Sequence, residues 1–171
     1  MMPTAMPAVL RRLIRRLDDA IAAPADQLGN AVTAALGEAV ARNDWLHAEQ
    51  RRASHDHYTR HILYADPQDS YTVVAIAWGN GQRSPIHAHH TWCGVGIYSG
   101  EVNETFYEID SHGSAHRPSR TVRRLAGTLS FDADLTGAHR IINDECPVAV
   151  SIHVYGVGAA RIATDVNRIL G

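Results

Sequence analysis

The chain has 171 residues, 45% hydrophobic and 20% charged, enough for a packed core and too apolar for a disordered tail. Sixteen Lys and Arg against eighteen Asp and Glu leave a formal charge of −2, without the basic excess expected of a nucleic-acid binder. No apolar run approaches the roughly 20 residues that cross a bilayer, and two cysteines are too few for a disulfide scaffold, which suits a reducing, cytoplasmic setting.

The first 50 residues read as helical. After Pro7, residues Val9, Leu10, Leu13, Ile14, Leu17 and Ile21 recur at three- and four-residue spacing, with Arg11, Arg12, Arg15 and Arg16 on the other side. The Asp18-Asp19 pair that follows the arginines argues against a signal peptide. Pro24 ends the stripe, and Asp26 is placed to cap a second helix with Leu28, Val32, Leu36 and Val40 inside. From Tyr58 onward the pattern changes to short extended segments, expected at 58–64, 71–78, 91–98, 101–109, 120–125, 127–131, 139–142, 148–155 and 161–166. The separators Asp66-Pro67, Gly79-Asn80-Gly81, Ser99-Gly100, Ser111-His112-Gly113 and Thr136-Gly137 are good turn formers. So many short strands with no helical pattern between them predict an all-β sandwich or small barrel behind N-terminal helices. Arg117, Arg120, Arg123 and Arg124 read as a solvated edge that discourages strand pairing.

The eleven histidines are the unusual feature of the composition. His87 and His89 stand two apart, so on an extended backbone both side chains leave one face and could share a metal ion, with His90 pointing away. An isolated pair of this kind also arises by chance on exposed loops. The context is more specific: Gly81, five residues, His87-x-His89, three residues, Cys93, six residues, Gly100; and then Gly137, His139-x-x-x-Asn143. These two segments resemble the signature motifs of the cupin superfamily. Cys93 stands where the first motif normally has Glu, as it does in the cysteine dioxygenase family. Ser151-Ile-His153-Val-Tyr155 is similar to that family's Ser-x-His-x-Tyr strand, and Tyr58-Thr-Arg60 to its Tyr-x-Arg segment.

The resemblance implies one cupin double-stranded β-helix domain over residues 1–171, helical over about 8–50 and barrel over about 58–167. It implies three neutral imidazoles, His87, His89 and His139, holding one Fe(II) per chain. A three-histidine set alone does not choose the metal, since it also serves catalytic zinc. The implied reaction oxidises a small thiol carboxylate with O2 to its sulfinate, the two-oxygen rung of thiol oxidation, within sulfur amino-acid metabolism. Arg60, with Tyr58 beside it, is the expected carboxylate anchor, because a guanidinium grips a carboxylate through two parallel hydrogen bonds. On a strand Tyr58, Arg60, Ile62 and Tyr64 would share one face. Ser151, His153 and Tyr155 also share a face; with Tyr rather than a carboxylate as third member, they read as a relay polarising the Tyr155 hydroxyl and not as a hydrolytic triad. Cys93 has three readings: a buried small side chain, a reactive thiol, or a partner in a thioether to Tyr155, found in some members. L-cysteine is the expected substrate because of Arg60. Gly156-Val157-Gly158 after Tyr155 instead resembles the mercaptopropionate-oxidising branch, where Arg161 would be a second anchor, so 3-mercaptopropionate and mercaptosuccinate are the alternatives. A non-catalytic cupin sensing a small anion, and an isomerase or lyase with His153 as base, are the competitors from other classes. No nucleic-acid or membrane partner is expected, and oligomeric state is open.

Overall fold

The computed structural model describes residues 5–133 and 137–170; Thr136, one of the expected turn residues, lies outside them. The apolar stripes form helices where their spacing places them. Helix α1 (Ala8–Ala22) buries Leu10, Leu13, Leu17 and Ala20, and α2 (Leu28–Val40) buries Val32, Ala35, Leu36, Ala39 and Val40. The four arginines lie on the outer side of α1, and Arg16 pairs with Glu38 across the helix pair. Asp26 does not cap α2. It sits inside a 3-10 turn, Ala25–Gln27, that runs straight into the helix, whereas a cap needs non-helical backbone.

Ten strands follow among the described residues: β1 (Thr59–Ala65), β2 (Thr72–Gly79), β3 (His87–His89), β4 (Cys93–Ser99), β5 (Glu101–Ile109), β6 (Ala115–Leu125), β7 (Leu129–Asp132), β8 (Ala138–Ile142), β9 (Val148–Tyr155) and β10 (Asn167–Ile169). They form two antiparallel five-stranded sheets, ordered β1-β2-β9-β4-β7 and β10-β3-β8-β5-β6. The chain passes from the first sheet to the second at Gly100. There φ is +71°, and a Cβ would stand 3.0 Å from the Ala149 Cα, so only glycine fits the crossing.

Alternation along the strands separates two cores. Val73, Ala75 and Ala77 of β2 and Val150, Ile152 and Val154 of β9 face the helices. Val74, Ile76 and Trp78, with Cys93, Ile97 and Tyr155, face the space between the sheets. β4 explains how α2 sits so close: Gly94 and Gly96 face it, and an added Cβ would come within 2.6 Å of Val32 Cγ1 and 2.8 Å of Val40 Cγ1 respectively. The next residue on that face, Tyr98, accepts hydrogen bonds from the Trp45 and Leu46 N–H groups and anchors the chain leaving the helices.

Three expectations need correction. The register slips between Ile62 and Tyr64, so Leu63 and Tyr64 both pack on the helical core and Tyr64 does not share a face with Arg60. β6 begins at Ala115 and carries Pro118, which a strand tolerates at the edge of a sheet, where its missing N–H is not needed. The segment 161–166 is not a strand: Arg161 N–H donates to Gly158 O, starting a 3-10 turn (Ala159–Arg161) and a short helix α3 (Ile162–Asp165) that delivers the chain to β10.

Candidate metal centre

β3 is the tripeptide His87-Ala88-His89, and both histidines leave the strand toward the space between the sheets. β8 pairs with β3 so that His139 stands directly opposite His87. All three are buried, and their ligand-capable nitrogens lie within 4.8 Å of one another. His90 is exposed and takes no part.

Each ring is held through its other nitrogen. His87 Nδ1 donates to the Pro85 carbonyl at 3.0 Å, His89 Nδ1 to Asp132 Oδ2 at 2.9 Å, and His139 Nδ1 to Glu104 Oε1 at 2.7 Å. A carbonyl or carboxylate can only accept, so Nδ1 carries the proton and Nε2 presents a lone pair in every case. Burial, and then the neighbouring His139, push the His87 imidazolium down to about 3, so this ring is a neutral donor at any ordinary pH. Burial would raise the Glu104 carboxyl, but hydrogen bonds from His139 and Arg124, with the Arg124 charge, outweigh it and keep Glu104 ionised. Its second oxygen takes Arg124 Nη2 at 2.7 Å and Nε at 2.9 Å. Arg124 is thus not part of a solvated edge: it is half-buried and supports the carboxylate behind His139, while Arg120 lies over the Phe106 ring and Arg123 pairs with Glu101.

With those protons assigned, His89 Nε2 and His139 Nε2 face each other at 3.4 Å as two lone pairs, which is not a hydrogen bond. Two nitrogens each about 2.1 Å from one divalent ion would lie roughly 3.0–3.4 Å apart. The donor set therefore fits a single divalent cation.

Beside this centre β9 places Ser151, His153 and Tyr155 on the inner face. Trp78 Nε1, which can only donate, gives its hydrogen to Ser151 Oγ at 2.9 Å. Ser151 Oγ meets His153 Nε2 at 2.8 Å, and His153 Nδ1 meets the Tyr155 hydroxyl at 3.1 Å. In the tautomer with the proton on Nδ1, Ser151 donates to Nε2, Nδ1–H donates to the Tyr155 oxygen, and the Tyr155 O–H is left to point into the chamber. Burial, and then the nearby His89, hold His153 neutral, so one ring nitrogen donates and the other accepts. Burial, and next Cys93, keep the Tyr155 hydroxyl protonated.

Arg60 Nη2 donates to the Tyr58 hydroxyl at 3.1 Å, and the Tyr58 ring lies on Trp78 with centroids 4.5 Å apart. Both residues line the chamber that also holds His87, His89, His139, Cys93, His153 and Tyr155.

Residues 4–163 match the family described as cysteine dioxygenase type I. The chain belongs to that family. It is similar in fold to protein TT1209 of Thermus thermophilus, with 15% identity and a TM-score of 0.51 over 64% of this chain and 91% of that one. A cupin 2 conserved barrel domain protein from Rhodopseudomonas palustris aligns at 19% identity and TM-score 0.50, covering 66% of each chain. The fold is the cupin double-stranded β-helix, and the cysteine dioxygenase family makes the protein an enzyme, a thiol dioxygenase built on a three-histidine site.

Within this cysteine dioxygenase frame, Cys93 is directly opposite Tyr155 across β4 and β9, with both side chains on the chamber face. Burial, with the Asp132 and Glu104 charges next, pushes its thiol well up, so it is protonated rather than a reactive thiolate. Arg161 is not brought to the chamber: it is exposed on the 3-10 turn, with Asp165 3.6 Å away. Four supporting residues have no motif to announce them: Trp78, Glu104, Asp132 and Asn167, which also lines the chamber. Glu104 did leave a trace, since Val102, Glu104 and Phe106 share one strand face and a carboxylate there is out of place without a partner.

Proposed function

We propose that the enzyme oxidises L-cysteine to cysteine sulfinate, adding both atoms of O2 to the sulfur, with His87, His89 and His139 holding Fe(II). Ferrous iron at that site supplies a redox-active centre at which a thiolate and O2 can exchange electrons, which zinc cannot do. The observation that carries the choice of substrate is Arg60, its guanidinium steadied by the Tyr58 hydroxyl at the chamber wall. A carboxylate taken there orients the thiol of a short amino acid toward the histidines. The Tyr155 O–H, freed by the Trp78–Ser151–His153 row, is the donor available to the carboxylate or to the oxygen atoms being transferred. Arg161, the anchor a mercaptopropionate-type enzyme would need, stands outside the chamber. A reducing cytoplasm fits the two free cysteines.

The test is substrate-dependent O2 uptake by the iron-loaded enzyme with cysteine, 3-mercaptopropionate and mercaptosuccinate. Cysteine is expected to give the highest kcat/KM. Arg60→Ala should lower that value about 10–100-fold, mostly through KM, the size of losing charge-assisted hydrogen bonds, while iron content stays at the wild-type level. Turnover with cysteine equal to wild type would remove Arg60 from the carboxylate role. Uptake with none of the three thiols, and stoichiometric zinc in the purified protein, would favour an anion-binding cupin instead.

The same reading extends to a thioether between Cys93 Sγ and the Tyr155 ring carbon next to the hydroxyl. Forming it breaks one S–H and one ring C–H bond and passes two electrons and two protons to O2, giving hydrogen peroxide. The protein recovered after turnover should then include a species lighter by two hydrogens that is absent from Cys93→Ser. A mass that stays unchanged after many turnovers would dismiss the cross-link.

A further inference from the structure

The last strand contributes a side chain to the chamber for which neither the metal centre nor the tyrosine row has a use. β10 pairs with β3 so that Asn167 lies opposite His89 and Ile169 opposite His87. Residues opposite one another in an antiparallel pair project to the same face, so Asn167 shares the face of the metal-binding histidines. Its side chain lines the chamber with Arg60 and Tyr155. The amide oxygen, Oδ1, is buried and accepts no hydrogen bond. Among the described residues one other side-chain polar atom is in that condition, His61 Nε2, and His61 does not line the chamber. By contrast, the neighbouring polar groups of Ser151, His153 and Tyr155 are paired with one another.

A buried acceptor without a donor is costly, and such a group is completed by an ordered water or by a ligand that enters the chamber. The geometry points to Asn167 as a specificity-determining residue whose Oδ1 accepts an N–H from the amino group of the substrate. This rests on the reading that the substrate is a small thiol carboxylate. The thiol of such a molecule is committed to the histidine centre, and its carboxylate, which only accepts, goes to Arg60. The α-amino group is then the one part with hydrogens to donate. Cysteine has it; 3-mercaptopropionate does not, and leaves Oδ1 buried and unpaired. Asn167 therefore selects for an α-amino thiol over a plain thiol acid, and it does so from the wall that carries the metal ligands, independently of Arg60.

The experiment compares iron-loaded wild type, Asn167→Ala and Asn167→Asp. Steady-state O2 uptake and anaerobic calorimetric dissociation constants are measured for cysteine and for 3-mercaptopropionate. In Asn167→Ala the ratio of the two kcat/KM values, cysteine over 3-mercaptopropionate, should fall about tenfold, the size of one hydrogen bond to a buried acceptor, and the cysteine Kd should rise by a similar factor. Asn167→Asp offers only acceptors at the same reach, so its ratio should stay close to wild type. Asn167→Ser, which lacks the carbonyl, replaces the alanine variant if that one fails to fold. Equal changes for both thiols, or an Asp variant that loses selectivity as the Ala variant does, would overturn the assignment while leaving cysteine as the substrate. A wild type that oxidises 3-mercaptopropionate but not cysteine would overturn both the assignment and the substrate proposed above.

Discussion

His139→Ala is expected to bring bound iron to background and to abolish thiol-dependent O2 uptake, whereas Glu104→Gln should weaken metal affinity or activity by about 10–100-fold without abolishing either. The difference follows from what each group does. His139 is one of three converging donors, and without it the pair on β3 leaves an ion open on the β8 side. Glu104 acts through the ring: Oε1 takes the Nδ1 proton at 2.7 Å and so keeps Nε2 free, while Oε2 holds Arg124. Glutamine preserves one acceptor but turns an N–H2 group toward the Arg124 guanidinium, so one of the two interactions is lost. Elemental analysis of both variants, with O2 uptake alongside, reads the result. An iron-free but active His139→Ala, or a Glu104→Gln with wild-type iron affinity, would show that the three-histidine centre is not built as described.

Gly94→Ala should lower stability by about 1–3 kcal/mol although it adds one methyl group to a strand, where alanine is otherwise tolerated. The new Cβ would stand 2.6 Å from Val32 Cγ1 and 3.1 Å from Leu36 Cδ1, and both partners are fully buried with nowhere to move. Val32→Ala alone should cost about 2 kcal/mol for the methyl groups removed and the cavity left. Together the two changes should cost at least about 1 kcal/mol less than their sum, because the added methyl then occupies the space that the valine vacated. Denaturant midpoints of the three variants complete the cycle. Strict additivity would mean that α2 does not rest on β4 in the way the glycines imply. Since β4 also carries Cys93 on its opposite face, a shift of this strand would be felt at the chamber, and iron content of Gly94→Ala is a useful companion measurement.

Much of the centre is legible in the residues alone. Two histidines at a spacing of two must share a face if the backbone is extended, and so must Ser151, His153 and Tyr155; that is a property of the strand itself. The helical stripes are equally readable, because three- and four-residue spacing has one structural solution. What local pattern misses are the features that need a long-range partner. The slip between Ile62 and Tyr64 depends on how β1 meets β2, and no spacing within β1 shows it. Residues 161–166 look extended by composition, but the chain turns at Gly158, whose carbonyl accepts from Arg161 N–H, and continues as a short helical segment. Arg124 reads as a surface arginine because its acceptor, Glu104, is brought to it only by the pairing of β5 with β6.

The residues in chain order thus singled out the candidate groups at the centre, since ligand type and strand periodicity are local properties. The tertiary structure decided how those groups are tuned: Asp132 and Glu104 set the histidine tautomers, Trp78 holds Ser151 at the head of the row ending at Tyr155, and β10 brings Asn167 to the chamber. Each of these depends on two segments far apart in the chain meeting across a sheet. Hydrogen-bond direction and burial exist only once that meeting has occurred.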